Sequence, residues 1–299
     1  MRSALRPVLT ITAILAMTWL SPASATDLGQ ALNFGVLSTG GSVVFGTDAS
    51  LSGGTSGTAN IGGAGITLRK DASVVGDLIA SPNGINVKTG SAAINCVTSG
   101  AKVTQADGNN CLSVDTSNTN TEVTTLLPQA ITDVANFVSA AQSQPVTQQI
   151  PDKIVVAAND GQTITDTQAG LNIITAPSIT LKKDSALILQ GFTDQTDSVV
   201  LIVAGNLKVG SGADLAPSSF VPSFSEANLV IIVLGRTLSV GRDAVLNGTV
   251  VAPNARCTLA ADFATRGAYI CGKSITLSNQ SASGSGSIDF TPATGVSLP

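Results

Sequence analysis

One short motif recurs along the chain and constrains its fold more than any other feature. It is clearest in two nearly interchangeable stretches, GITLRKDASVVG (65–76) and SITLKKDSALIL (178–189). Their shared pattern is apolar, any, apolar, two polar or small residues, Asp, small, any, apolar. Copies of this pattern, some with one or two departures, lie at 43–51, 66–74, 179–187, 207–215, 238–246 and 275–283. The chain is therefore built from a repeated unit.

The motif has a direct physical interpretation. Two apolar residues separated by one position face the same side of a strand, and the residue between them faces the other side. Asp or Gly then tolerates the left-handed backbone of a sharp corner, and a small residue fits inside that corner. A coil of this kind cannot bury its apolar face alone, so coils must stack. The repeat predicts an all-β-dominated parallel β-solenoid.

Two near-continuous apolar runs, SVVLIVAG (198–205) and NLVIIVLG (228–235), are typical of strands that are buried on both faces. One face can belong to the solenoid core, and the other needs a cover. A helix predicted at 122–144 supplies it, since Pro128 suits a first turn and apolar residues recur at helical spacing. These apolar residues are Ile131, Val134, Ala135, Val138 and Ala141.

Residues 1–25 have the pattern of a secretory signal peptide. Arg2 and Arg6 precede the apolar run PVLTITAILAMTWL, and Ala23-Ser24-Ala25 forms a small-residue cleavage site. The apolar run is too short for a permanent membrane span, and no Cys follows the site to carry a lipid. We therefore expect export to the extracellular space or cell surface, with the periplasm also open, and a single solenoid domain at 26–299.

Charge narrows the possible partners. Without Arg2 and Arg6 the chain has 13 basic and 19 acidic residues, a formal charge of −6. An acidic chain of this kind is not expected to bind nucleic acid or an anionic membrane.

The four cysteines are Cys96, Cys111, Cys257 and Cys271. They allow three pairings, and we favour the sequence-near pairs Cys96–Cys111 and Cys257–Cys271 in an oxidising compartment. Metal binding is the alternative, but the chain has no histidine and no C-x-x-C spacing. Because the motif decays after residue 282, we expect the second pair to fasten the C-terminal end of the solenoid and the first to hold the loop entering the helix.

The absence of histidine also excludes imidazole-based catalysis. Paired carboxylates remain possible, and the candidates are Asp71, Asp184 and Asp243 with Arg69, Lys182 and Arg242. These aspartates occupy the same corner of each repeat, which indicates a turn role. We predict no catalytic residue, no metal ligand and no cofactor.

Several stretches in order resemble the secreted bacterial ice-binding-like β-helix (adhesin) family. They are DLGQALNFGVLS (27–38), SVVGDLIASPNG (73–84), the helix, SVVLIVAGNLKVGSGADL (198–215), NGTVVAPNARCTL (247–259) and GAYICGKSITL (267–277). The resemblance implies a right-handed β-solenoid with one long helix alongside. The GTVVAPNA segment is also similar to choice-of-anchor surface domains, which implies adhesion or matrix building.

Ice binding would need a flat, regular and uncharged face. The candidate outward residues are Thr67, Thr180, Ser239 and Thr276. Lys208, Arg69 and Lys182 interrupt this face, so our leading interpretation is a non-enzymatic structural or adhesion protein that binds surface polysaccharide or envelope proteins. An ice-binding protein, with ice as the partner, is the first alternative. A polysaccharide-active β-helix enzyme is the second.

Overall fold

A computed structural model describes residues 26–53, 58–108, 110–165, 168–190, 197–217, 225–280 and 286–299. The predicted signal peptide at 1–25 lies outside these residues. Short parallel strands form three sheets of eleven, ten and eight strands, and one long helix lies against the largest. The predicted parallel β-solenoid with a helix alongside is confirmed.

Sheet I is the largest of the three sheets, and the helix covers part of its outer face. In spatial order its strands are β11 (Cys111–Asp115), β9 (Ala93–Thr98), β7 (Leu78–Ala80), β4 (Asn60–Gly63), β1 (Phe34–Ser38), β27 (Tyr269–Cys271), β24 (Thr249–Ala252), β21 (Leu229–Val233), β18 (Ser198–Val203), β15 (Leu171–Ala176) and β12 (Gln148–Gln149).

Sheet II contains the first strand of each repeat motif. In spatial order its strands are β10 (Val103–Gln105), β8 (Ile85–Val87), β5 (Gly65–Leu68), β2 (Ser42–Phe45), β28 (Ser274–Leu277), β25 (Arg256–Leu259), β22 (Thr237–Val240), β19 (Leu207–Val209), β16 (Ile179–Leu181) and β13 (Ile154–Val156).

Sheet III contains the strand that follows the corner. In spatial order its strands are β6 (Ser73–Val74), β3 (Ser50–Ser52), β29 (Ser287–Asp289), β26 (Ala264–Arg266), β23 (Val245–Leu246), β20 (Asp214–Pro217), β17 (Ala186–Gln190) and β14 (Gly161–Thr165). The three sheets enclose one apolar core of inward-facing side chains.

The corner between sheets II and III has the geometry that the motif predicts. Asp48, Asp71, Asp184 and Asp243 have φ angles between 53° and 59°, and Gly212 has φ 65°. Each of these left-handed residues donates its backbone N–H to the next coil; Asp184 N, for example, lies 2.9 Å from the Ser211 carbonyl oxygen. The corners therefore form their own hydrogen-bonded stack, parallel to the sheets.

Helix α1 (Leu127–Ser143) continues a π-helical turn, Glu122–Leu126, and two short 3₁₀ helices lie at Gly29–Asn33 and Glu226–Asn228. The buried side of α1 packs on the outer face of sheet I, where strands such as β18 and β21 are buried on both faces, as predicted. Its buried residues are Leu127, Ala130, Val134, Phe137, Val138 and Ala141.

The predicted buried face of the helix was wrong at one position. Ala135 is exposed, and Phe137 is fully buried instead. A helix places residue 137 three positions after Val134, on the same side, whereas residue 135 lies about 100° away from Val134.

The coils do not stack in chain order. The chain begins in the middle of the solenoid with β1 to β3 and builds to one end at β10 and β11. Helix α1 then leads to the opposite end, and the later coils build back until β27, β28 and β29 pair with β1, β2 and β3. We call this junction the seam. The expectation that the last coil ends the solenoid was wrong, because the first coil supplies the neighbour that it needs.

The structure joins Cys96 to Cys111 and Cys257 to Cys271, the sequence-near pairing. Cys96 and Cys111 lie on β9 and β11, so this bond fastens the outermost strand of sheet I. Cys257 and Cys271 lie on β25 and β27, beside the seam, and do not clasp an end.

The seam yields a stability prediction at Gly41. A Cβ atom on this residue would overlap the carbonyl oxygen of Lys273 across the seam. We expect Gly41→Ala to lower the free energy of unfolding by about 1–3 kcal/mol, since this backbone contact cannot open without separating two paired coils. Urea unfolding followed by circular dichroism measures the change.

Gly161→Ala is the matched control, because nothing lies within 4 Å of a Cβ built on Gly161. We expect that variant to unfold close to wild type. Equal unfolding midpoints for Gly41→Ala and Gly161→Ala would contradict the close packing of the seam.

The Cys96–Cys111 bond yields a second prediction. Its partners are 15 residues apart, and loss of a bond closing such a loop costs about 3 kcal/mol. In a Cys96→Ser/Cys111→Ser variant, the amides of β11 and β9 should exchange before those of β18, because an end strand has a neighbour on one side only. Hydrogen exchange with mass spectrometry measures this order, and uniform acceleration over the whole solenoid would contradict it.

Candidate functional site

Sheet II presents a regular outer face. Its strands alternate between buried and solvent-facing positions; in β2, for example, Val43 and Phe45 are fully buried and Val44 points outward. Because adjacent strands pair in parallel without a shift at these positions, the central outward residues stand in one straight row.

We call this row the ladder. Its members, in spatial order from β10 to β13, are Thr104, Asn86, Thr67, Val44, Thr276, Thr258, Ser239, Lys208, Thr180 and Val155. At the usual strand spacing of about 4.8 Å, ten strands extend over about 43 Å. Hydroxyl groups and small apolar groups make up most of this length.

The four residues predicted from the sequence all lie in the ladder. Thr67 and Thr276 flank Val44 at the seam, and Ser239 and Thr180 lie on either side of Lys208. The structure therefore brings the predicted residues into one row, interrupted by Val44, Thr258 and Lys208.

Four further members, Thr104, Asn86, Thr258 and Val155, lie outside the motif copies found in the sequence. Corner residues could have identified three of these four coils. Gly90 and Asn159 occupy the corner in the coils of Asn86 and Val155, Asp262 occupies it in the coil of Thr258, and all three have positive φ. That last coil departs from the motif only after its corner, where Phe263 replaces a small residue. A pattern that allowed Asn or Gly at the corner would have recovered most of the ladder.

Charge is unevenly distributed over the faces. No strand of sheet II contains Asp or Glu, and its only charged residues are Lys208 and Arg256. The outer face of sheet III carries Asp214, Arg266 and Asp289, and α1 covers much of sheet I. Among the described faces, sheet II offers the longest uncharged stretch.

The aspartates considered as catalytic candidates lie at the corners between sheets II and III. Asp71, Asp184 and Asp243 have left-handed backbones at the corners of three different coils, and Asp71 and Asp184 each lie 3.3 Å from the ammonium group of the preceding lysine. These exposed pairs contribute little to stability. The structure does not bring two of these aspartates together around a cavity.

A separate cavity of about 310 Å³ lies where the helix begins. Its lining residues are Gln30, Thr121, Glu122, Thr125, Leu126 and Gln129. Burial, reinforced by the nearby charges of Asp77 and Asp115, raises the pKa of the Glu122 carboxyl above its usual value. This cavity contains one carboxyl group, that of Glu122, and lies at the start of the helix.

A candidate metal site and a membrane-spanning helix are both absent from the described ranges. No group of three or more His, Cys, Asp or Glu residues is placed to hold a metal ion there. No helix in those ranges combines the length and the apolar character that crossing a bilayer requires.

Comparison with protein-family models and with curated protein sequences gave no match. Solved structures do match. The chain is 18% identical to an ice-binding protein from the Antarctic ascomycete Antarctomyces psychrotrophicus, with a TM-score of 0.52, covering 86% of this chain and 97% of that one.

Two other ice-binding structures are similar. The DUF3494 domain of Shewanella frigidimarina ice-binding protein 1 has a TM-score of 0.55 at 15% identity, covering 90% of this chain and 98% of that one. A glycosylated ice-binding protein from an Arctic yeast has a TM-score of 0.53 at 16% identity, covering 91% of this chain and 96% of that one. At these identities the likeness shows a shared β-solenoid fold. It gives no support to the adhesin or choice-of-anchor resemblance.

Proposed function

We propose that this protein binds ice through the ladder on sheet II. The observation that carries the proposal is the unbroken alignment of outward side chains on ten parallel strands. The structural neighbours, described as ice-binding proteins, support this alternative over the adhesion reading.

The ladder suits a flat, ordered solid. Backbone hydrogen bonds on both sides fix each strand between the two end strands, so the outward groups are ordered before binding and lose little conformational freedom. Threonine offers a hydroxyl that bonds to water and a methyl that packs against it, and its β-branching restricts χ1. A row such as Thr276, Thr258 and Ser239 therefore presents water-binding groups at a fixed repeat.

Lys208 is unfavourable for ice binding by the ladder. It is exposed and interrupts the ladder between Ser239 and Thr180. An ammonium group holds its own hydration shell and projects beyond the neighbouring hydroxyls. We infer that the stretch of the ladder from Thr104 to Ser239 is the stronger part of the ice-binding face.

The principal test replaces Thr276, near the centre of the ladder. Tyrosine at this position would project beyond its neighbours and prevent a flat surface from making contact. We expect Thr276→Tyr to lose most of the thermal hysteresis that wild type shows at micromolar concentration, measured by nanolitre osmometry.

Thr163→Tyr, on β14 of sheet III, is the matched control. Thr163 is exposed on a solvent-facing strand that does not belong to sheet II. We expect wild-type hysteresis from this variant. A wild-type protein with neither thermal hysteresis nor inhibition of ice recrystallisation would overturn the proposed function. Loss of hysteresis in the Thr163→Tyr variant alone would place the ice-binding site on another face.

Lys208→Thr tests the same face in the opposite direction. Removing the charge would join the two uncharged parts of the ladder, so we expect greater thermal hysteresis than in wild type. Lys153→Thr, which removes an exposed charge just before β13 and outside the ladder, is the comparison. An equal rise in both variants would attribute the effect to net charge.

We also propose that the protein acts outside the cytoplasm. The predicted signal peptide and the two disulfides support this location, because disulfides persist in oxidising compartments. An adhesion or envelope role is the second candidate, and a cavity lined by Arg236, Arg256 and Lys273 at the edge of sheet II is the observation that favours it.

A further inference from the structure

A second site lies at the edge of sheet II where its strands begin. It is an open cavity of about 360 Å³, which we call the cationic pocket. Its lining residues are Arg236, Thr237, Arg256, Thr258 and Lys273. Three positive charges and two hydroxyl groups thus meet in one cavity, and no acidic residue lines it.

Three successive coils build the pocket. Arg256 begins β25 and is aligned with Thr237 of β22 on one side and with Ser274 of β28 on the other. Arg236 and Lys273 immediately precede these flanking strands. The backbone N–H of Arg256 donates to the Arg236 carbonyl oxygen at 3.0 Å, which ties two of the cationic residues together. The three backbone positions therefore lie within two strand spacings, roughly 10 Å.

The positive charges of the pocket have no partner among the described residues. The ion pairs among the described residues join Lys70 to Asp71, Lys183 to Asp184, Arg242 to Asp262, and Arg266 to Glu226 and Asp289. Within the described ranges, the side chains of Arg236, Arg256 and Lys273 make no hydrogen bond or ion pair. Like charges held this close repel one another, so an anion placed between them would be stabilised.

This arrangement is unusual for the composition of the chain. The protein is acidic overall, yet its acidic residues are absent from every strand of sheet II. A cationic residue on such a surface would find a carboxylate partner easily on another face, as Arg266 does on sheet III. The local excess of positive charge is therefore a property of this pocket.

We propose that the cationic pocket binds the sulfate or carboxylate group of an acidic sugar unit. Guanidinium groups bind such oxyanions in two-pronged geometry, and Thr237 and Thr258 can donate hydroxyl hydrogen bonds to the same group. The volume lies at the lower end of ligand pockets, which fits one sugar unit better than a large ligand. The lining has no aromatic side chain, so the stacking that nucleic acid bases use is absent.

The pocket borders the ladder through Thr258 but does not depend on ice binding. A polymer that carries many acidic units could engage the pocket while the rest of sheet II stays free. Binding can be measured in water at room temperature, where no ice is present, so the two proposals succeed or fail separately.

The experiment compares two triple variants of equal charge change. Arg236→Gln/Arg256→Gln/Lys273→Gln empties the pocket of positive charge. Lys88→Gln/Lys102→Gln/Lys153→Gln removes three other exposed lysines that border sheet II and make no ion pair with a described residue. Calorimetric titration with dextran sulfate, with neutral dextran and with sodium sulfate supplies the measurements, and circular dichroism verifies that each variant is folded.

We expect wild type to bind dextran sulfate and not neutral dextran. Loss of three charge-assisted contacts should weaken binding by roughly tenfold or more in the pocket variant, with a much smaller loss in the other triple variant. If sodium sulfate alone binds as tightly per site and its binding is lost in the pocket variant, the pocket is an anion site whose ligand is a free anion. Equal losses in the two variants, or no binding by folded wild type, would overturn the proposal.

Discussion

Hydrogen bonding between the corners of successive coils is the constraint on which the rest of the structure depends. A left-handed residue such as Asp184 or Gly212 turns the chain, and its N–H donates to the carbonyl of the residue before the next corner. This link fixes the height of each coil relative to the next. Because the same link recurs, the strands that enter each corner stay in step, and the ladder is a consequence of that alignment.

The sequence predicts the structure of a single coil better than the order in which the coils stack. Alternation around residues such as Thr67 and the corner Asp71 reveals the strand, the turn and the outward position, because these are local properties. Coils with Gly90 or Asn159 at the corner escape a pattern that expects Asp, although all three residue types tolerate positive φ. The seam is not visible in the sequence, because nothing in the spacing of repeats says which coil lies above which.

Sheet II combines two kinds of surface chemistry on one scaffold. Its central row is mostly hydroxyl and methyl groups, whereas its edge carries the three cations of the pocket. The solenoid makes this possible because neighbouring columns of side chains are set by different positions of the repeat and can vary independently. Lys208 and Arg256 are the two charged residues within the strands of sheet II.

The pairing of Thr26 with Leu298 shows how the two chain segments that meet at the seam are related. Two backbone hydrogen bonds, of 2.7 and 2.9 Å, hold these residues side by side. A path along the chain from β12 to β29 can continue across this bridge to β1 and on to β11. Along that path, every coil stacks on the coil before it. The order of the coils is therefore that of a linear solenoid whose chain is cut at the seam and whose two ends are connected by α1. The break falls in the middle of the stack, so the first coil made must keep one strand edge open until the last coil closes it.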